Sequence, residues 1–193
     1  WALVLNKRAI ILSAFIPPQK ENILLPDILK KIMKVKKSTK MLFSTNAYDY
    51  VFDNSGNETY GILSLIKIFN ESPYIGLIFS DPSGNYQKYF YEKNIILNKN
   101  IMVVNVPHSF VEVLKISDCL IRNTTTDGDS LSVKEALYFK KQVLASNCVD
   151  RPSGVRLIKS SKISSIKNDI ICCFKEKNNL ENNKIKIING GEQ

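Results

Sequence analysis

Short apolar runs alternate with helical patterns along most of the chain, and that alternation restricts the available folds more than any other feature. Met41–Thr45, Tyr74–Phe79, Ile101–Val106, Ser117–Ile121, Val143–Ala145 and Val155–Ile158 have strand length, and Ala9–Ile16, ended by Pro17-Pro18, reads as another strand. Between them, helices are expected over Leu24–Val35, Gly61–Phe69, Tyr86–Tyr91, Ser109–Ile116, Leu131–Leu137 and Asn168–Lys177. The Tyr74–Phe79 run is apolar without alternation, as in strands covered on both faces. This rhythm predicts a doubly wound, Rossmann-like α/β domain of about six parallel strands with helices on both sides. Ligands of such folds bind beyond the C-terminal strand ends, where Asn46, Asn105 and the turn at Asp127 fall.

The 193 residues, 44% hydrophobic and 23% charged, suit a single globular domain spanning 1–193. The Asn- and Lys-rich tail from Asn178 is expected to be loosely ordered. Trp1 stands where an initiator Met would, so the chain reads as an excised C-terminal half of something longer. No apolar run has the length of a membrane span, and no signal-peptide pattern is present. Cys119, Cys148, Cys172 and Cys173 have neither zinc-site nor disulfide-framework spacing, and His108 is the single histidine, so reduced thiols and no metal are expected.

The net charge of +9 favours phosphate-bearing partners: a nucleotide, a lipid pyrophosphate, nucleic acid or an anionic membrane. Much of the excess lies in Lys30, Lys31, Lys34, Lys36, Lys37 and Lys40, which form either a solvated face or one that leans on anionic lipid. Neither G-x-G-x-x-G nor a Walker-type loop occurs, which argues against the common dinucleotide and NTPase sites.

The segment Arg122–Ser146 carries the chemistry. A strand ends in a polar turn containing Asp127-Gly128-Asp129-Ser130, a helix follows, and another strand closes the unit. Gly128 would allow a close bend, Ser130 can cap the helix, and the free N–H groups of its first turn can hold an anion. Glu135 lies on the helix, about one and a half turns in. Two carboxylates thus flank the place where phosphates would rest.

This unit resembles the C-terminal domain of retaining, family-four-type glycosyltransferases of the GT-B fold. An acidic residue followed by Gly, a second acidic residue eight positions on, Ala136-Leu137 and the strand Val143-Leu144-Ala145-Ser146 carry the likeness. D-G-D-S-x-S-x-K-E-A-L, with Asp150-Arg151-Pro152 downstream, resembles a bacterial polysaccharide (O-antigen type) subgroup, over roughly Asn105–Val155. The resemblance implies a donor-binding domain for a nucleoside diphosphate sugar, UDP-linked, and a lipid-linked saccharide as acceptor. It implies a separate N-terminal acceptor domain, no metal cofactor, and work at the cytoplasmic face of the plasma membrane.

It also implies roles for residues. Asp127 would lie beside the transferred sugar, and Glu135 would bind the ribose hydroxyls. Gly128, Asp129, Ser130 and Leu131 would offer backbone N–H groups to sugar and diphosphate. Many relatives carry an Arg after the first strand and a Lys before the next helix; here those regions read Ser44-Thr45-Asn46 and Glu58-Thr59-Tyr60-Gly61, with Tyr60 near the Lys position. Arg122 and Arg151 are the candidates to supply the missing charge, through the bidentate fork a guanidinium offers a diphosphate. Competing readings are a non-catalytic nucleotide-binding domain and a basic nucleic-acid-binding module. The second fits poorly, because the aromatics fall in apolar runs rather than among the lysines.

Overall fold

The computed structural model describes residues 15–17, 23–158 and 161–189, with residues 180–189 as backbone only. Six strands form one parallel sheet: β1 (Met41–Asn46), β2 (Ile75–Ser80), β3 (Ile101–Val104), β4 (Cys119–Arg122), β5 (Gln142–Ser146) and β6 (Val155–Ile158), in the order β3-β2-β1-β4-β5-β6. The helices are α1 (Pro26–Ser38), α2 (Ile62–Asn70), α3 (Asn85–Glu92), α4 (Phe110–Ile116), α5 (Leu131–Tyr138) and α6 (Ile163–Asn189). The expected strand over Ala9–Ile16 lies largely outside the described residues.

Alternation along the strands explains why whole runs are apolar. In β1, Phe43 faces the layer of α2, α3 and α6, while Leu42 faces that of α1 and α4. Leu77 and Phe79 face the first layer and Ile78 the second, so every residue of β2 is buried. On the sheet's other half, Leu120, Val143 and Ala145 pack under Val133 and Ala136 of α5. α1 comes so close to β2 that a Cβ at Gly76 would meet Val35, Thr39 and Leu42 side chains within 2.8–2.9 Å.

α6 extends well past the expected Asn168–Lys177 at both ends. Ile166, Ile170 and Cys173 seat it on the sheet at helical spacing, and its backbone stays helical into an Asn-rich stretch that propensity alone would not favour. Tertiary seating of that face supports the first half of the helix.

Candidate functional site

The chain order in the sheet reverses between β1 and β4, and a crevice opens outside the carboxyl ends of strands at such a point. Asn46, Ser80 and Arg122, the last residues of β1, β2 and β4, all line a cavity of about 260 Å³ there. Tyr48, Tyr60, Pro82, His108 and Phe110 complete most of its wall. The Arg122 guanidinium sits 5.7 Å from the centre of the Tyr60 ring, within range for a cation–π contact. His108 lies in the loop after Pro107, with its Nε2 2.8 Å from Ser80 Oγ and its Nδ1 2.7 Å from the Val106 carbonyl, which fixes the ring against the cavity. Asn105 lines neither this cavity nor the larger one described below.

Behind the cavity lies a charged triad. Arg122 donates to both oxygens of Asp127, from Nε at 2.7 Å and Nη2 at 2.9 Å, and Arg151 Nη1 adds a third bond at 2.8 Å. The side chains are only 12% (Arg122), 7% (Asp127) and 2% (Arg151) exposed. The arginines therefore form a nearly dry ion cluster rather than surface pairs. Burial by itself would raise the Asp127 pKa; the bonds and charges of Arg122 and then Arg151 outweigh it and hold the carboxyl below its usual value. Arg151 is anchored in turn by the Ser146 carbonyl, at 3.0 Å. Arg122 Nη1 has only a long 3.5 Å contact with Asn46 Oδ1, so this edge of the guanidinium remains for a ligand.

The turn differs from expectation in two respects. Gly128 has a negative φ, and a Cβ there would meet nothing within 4 Å, so the chain's own geometry does not demand glycine. Ser130 occupies the N-cap position of α5, but its Oγ pairs with Ser132 Oγ at 3.1 Å instead of a backbone N–H. The helix start thus has no side-chain cap. Asp129 pairs with Lys134, and Leu131 is exposed. Glu135 is half-buried and bonds to none of the described residues through its carboxylate, and burial raises its pKa. It shares no hydrogen bond with the triad and lines neither cavity, and so is a desolvated acceptor without donors among the described residues.

The segment between β1 and α2 explains what replaces the expected lysine. Glu58 accepts hydrogen bonds from the Ile62 N–H at 2.8 Å and the Leu63 N–H at 2.9 Å, and another from the Tyr86 hydroxyl. A carboxylate of the chain itself thus occupies the α2 N-terminus. Gly61 adopts φ +63°, and a Cβ there would lie 2.3 Å from Asn123. The Asn123 side-chain amide donates to the Gly61 carbonyl at 3.3 Å, and this bond, with the Thr125 N–H to Thr59 carbonyl bond of 2.8 Å, binds this loop to the end of β4. Between the loop and the ends of β4, β5 and β6 lies a second cavity, of about 870 Å³. No group of three or more His, Cys, Asp or Glu able to hold a metal occurs among the described residues.

No protein-family model matches the chain, and no curated protein sequence matches it. Solved structures do. A glycosyltransferase from Rickettsia africae superposes with TM-score 0.58 at 16% identity, over 79% of this chain and 42% of that one. Anabaena HepE in complex with UDP and glucose gives 0.57 at 13% identity, over 77% and 44%. The alpha,alpha-trehalose 6-phosphate synthase from Burkholderia multivorans gives 0.56 at 12% identity, over 75% and 37%. The fold is a Rossmann-like α/β domain with a six-stranded parallel sheet, consistent with the C-terminal half of a GT-B fold. At these identities the likeness is one of fold, and the chain spans less than half the length of each structure. In this Rossmann-like fold, the 260 Å³ cavity lies at the switch point of the sheet.

Proposed function

We propose that this chain is the donor-binding half of a retaining glycosyltransferase that uses a nucleoside diphosphate sugar, UDP-linked, in polysaccharide or O-antigen synthesis. The observation that carries the reading is Arg122. It ends β4 at the switch point, stacks over Tyr60 in an aromatic-walled cavity and keeps one edge free. Aromatic walls suit a base, and a guanidinium suits the diphosphate attached to it. The uncapped start of α5, at Gly128–Leu131, would receive the phosphates and sugar. Glu135 would exchange its desolvated isolation for two ribose hydroxyls.

In this reading Asp127 lies beside the anomeric carbon. As the bond to the diphosphate breaks, positive charge develops on the sugar ring and a fixed carboxylate stabilises it more than the ground state. The diphosphate meanwhile draws on the Arg122–Arg151 charge, and the leaving group itself accepts the acceptor's proton. The acceptor, a lipid-linked saccharide, would be held by a separate N-terminal domain, with the α1 lysines toward an anionic inner membrane face. The expected outcome is that UDP binds in titration calorimetry, that GDP binds more weakly, and that single-stranded DNA does not bind. DNA binding in preference to UDP would overturn the reading.

One observation favours a non-catalytic nucleotide-binding domain instead: both Asp127 oxygens are engaged by guanidiniums. Turnover of the full-length protein with radiolabelled donor separates the two. Loss of turnover in Asp127→Asn with donor affinity retained supports the transferase; donor binding without any turnover in the wild type supports the alternative.

A further inference from the structure

The nucleotide reading leaves the larger cavity unused. At about 870 Å³ it is near the top of the range for sites that take a sizeable organic ligand. Its chemistry differs from that of the smaller cavity. The charged side chains among its described lining residues are two carboxylates, Asp53 and Glu58, so a diphosphate entering it meets like charge. Both carboxylates are held in place: Asp53 by the N–H groups of Ser55 and Asn57 at 2.8 and 2.9 Å, Glu58 by the start of α2. Asp53 also takes the Asn57 side-chain amide at 3.2 Å and the Thr125 hydroxyl, which fills it, whereas Glu58, with three donors, keeps a lone pair to offer, since an ionised carboxylate accepts about four hydrogen bonds.

The remaining polar lining is amide and hydroxyl. The side chains of Asn147, Ser64 and Ser161 border the cavity and bond to no described residue, so their donors and acceptors are available. Leu63 and Ile158 add apolar patches. Thr124 and Ser146 belong both to this wall and to the surroundings of the triad, where Thr124 Oγ1 contacts Asp127 and Arg151 bonds to Ser146.

We propose that this cavity is a glycan-binding site that takes the neutral, polyhydroxylated part of a saccharide. A sugar hydroxyl donates and accepts together. The fixed Glu58 carboxylate accepts a hydrogen bond from such a hydroxyl, the Asn147 amide answers both ways, and the C–H faces of the ring lie on small apolar patches. Because the cavity ends beside Asp127, a glycan seated there reaches the place of sugar transfer. Calling it the part of an acceptor site that this half shares with the separate N-terminal domain rests on the transferase reading; its binding does not.

Saturation-transfer NMR with maltotriose, chitotriose and mannotriose, on the whole chain, tests this. At least one trisaccharide should receive saturation from the wild type. Asn147→Trp, which fills the cavity from an exposed loop, should lower that affinity at least tenfold, and Asn147→Ala several-fold. UDP affinity, measured by calorimetry on the same samples, should not change. No signal from any trisaccharide, an undiminished signal in Asn147→Trp, or competition by inorganic pyrophosphate would overturn the proposal. A wild-type trisaccharide signal that Asn147→Trp removes, on a chain that fails to bind UDP, supports the glycan site and counts against the nucleotide reading alone.

Discussion

Asp127 has two tasks in this molecule, and they separate experimentally. It neutralises two arginines that are almost out of water, so Asp127→Asn should cost about 3–5 kcal/mol, the range for breaking a buried pair, read as a lower urea midpoint. Arg151→Met in the same background removes one of the stranded charges and should recover part of the loss. Glu135 is the opposite case. Burial raises its folded pKa, so its ionised form costs stability at neutral pH, and the cost disappears as pH falls through that raised value. Glu135→Gln should therefore be at least as stable as wild type at pH 7. If the ionised carboxylate binds ribose, UDP affinity should fall as pH drops through the same raised value, and Glu135→Gln should bind weakly with a flat pH profile. Gly128→Ala should change stability by less than about 0.5 kcal/mol, because the added Cβ meets nothing. Gly61→Ala, strained at φ +63° and driven against Asn123, should cost about 2 kcal/mol or more.

Elements were legible where one periodicity ruled. β2 read as buried because nothing in Tyr74–Phe79 breaks the apolar run, and the structure buries all of Ile75–Ser80. α6 was not legible at its ends, since the Ile166–Ile170–Cys173 seat that supports it is visible only against the sheet. The site divided the same way. Asn46, Tyr60 and Arg122 lie far apart in sequence; strand-end reasoning put Asn46 at the end of β1, where the structure has it, but only the β1–β4 pairing brings the three to one wall. The missing lysine before α2 was legible as a departure; that Glu58 caps the helix instead needed the loop's path. Glu58→Ala should destabilise the fold by about 1.5–3 kcal/mol, the worth of charge-assisted bonds. It also opens the α2 N-terminus to anions, so pyrophosphate should restore part of the melting temperature in this variant and not in wild type.

At the scale of the whole molecule, the sheet sorts chemistry along its C-terminal edge. Cation and aromatic rings gather over β1, β2 and β4, while amides, hydroxyls and carboxylates gather over β4, β5 and β6, and the Asp127 triad stands between. The polarity of every strand is the same, so all six carboxyl ends contribute to one rim, and a charged ligand and a neutral one can be held side by side on it. Mapping UDP onto the isotope-labelled chain by amide chemical shifts tests this account most directly. Titration should move the amides of Asn46, Tyr48, Tyr60, Arg122 and Gly128–Leu131 together along one binding curve, and leave α1 and Ser161 still. No movement at millimolar UDP, or movement confined to the lysine-bearing face of α1, would contradict it.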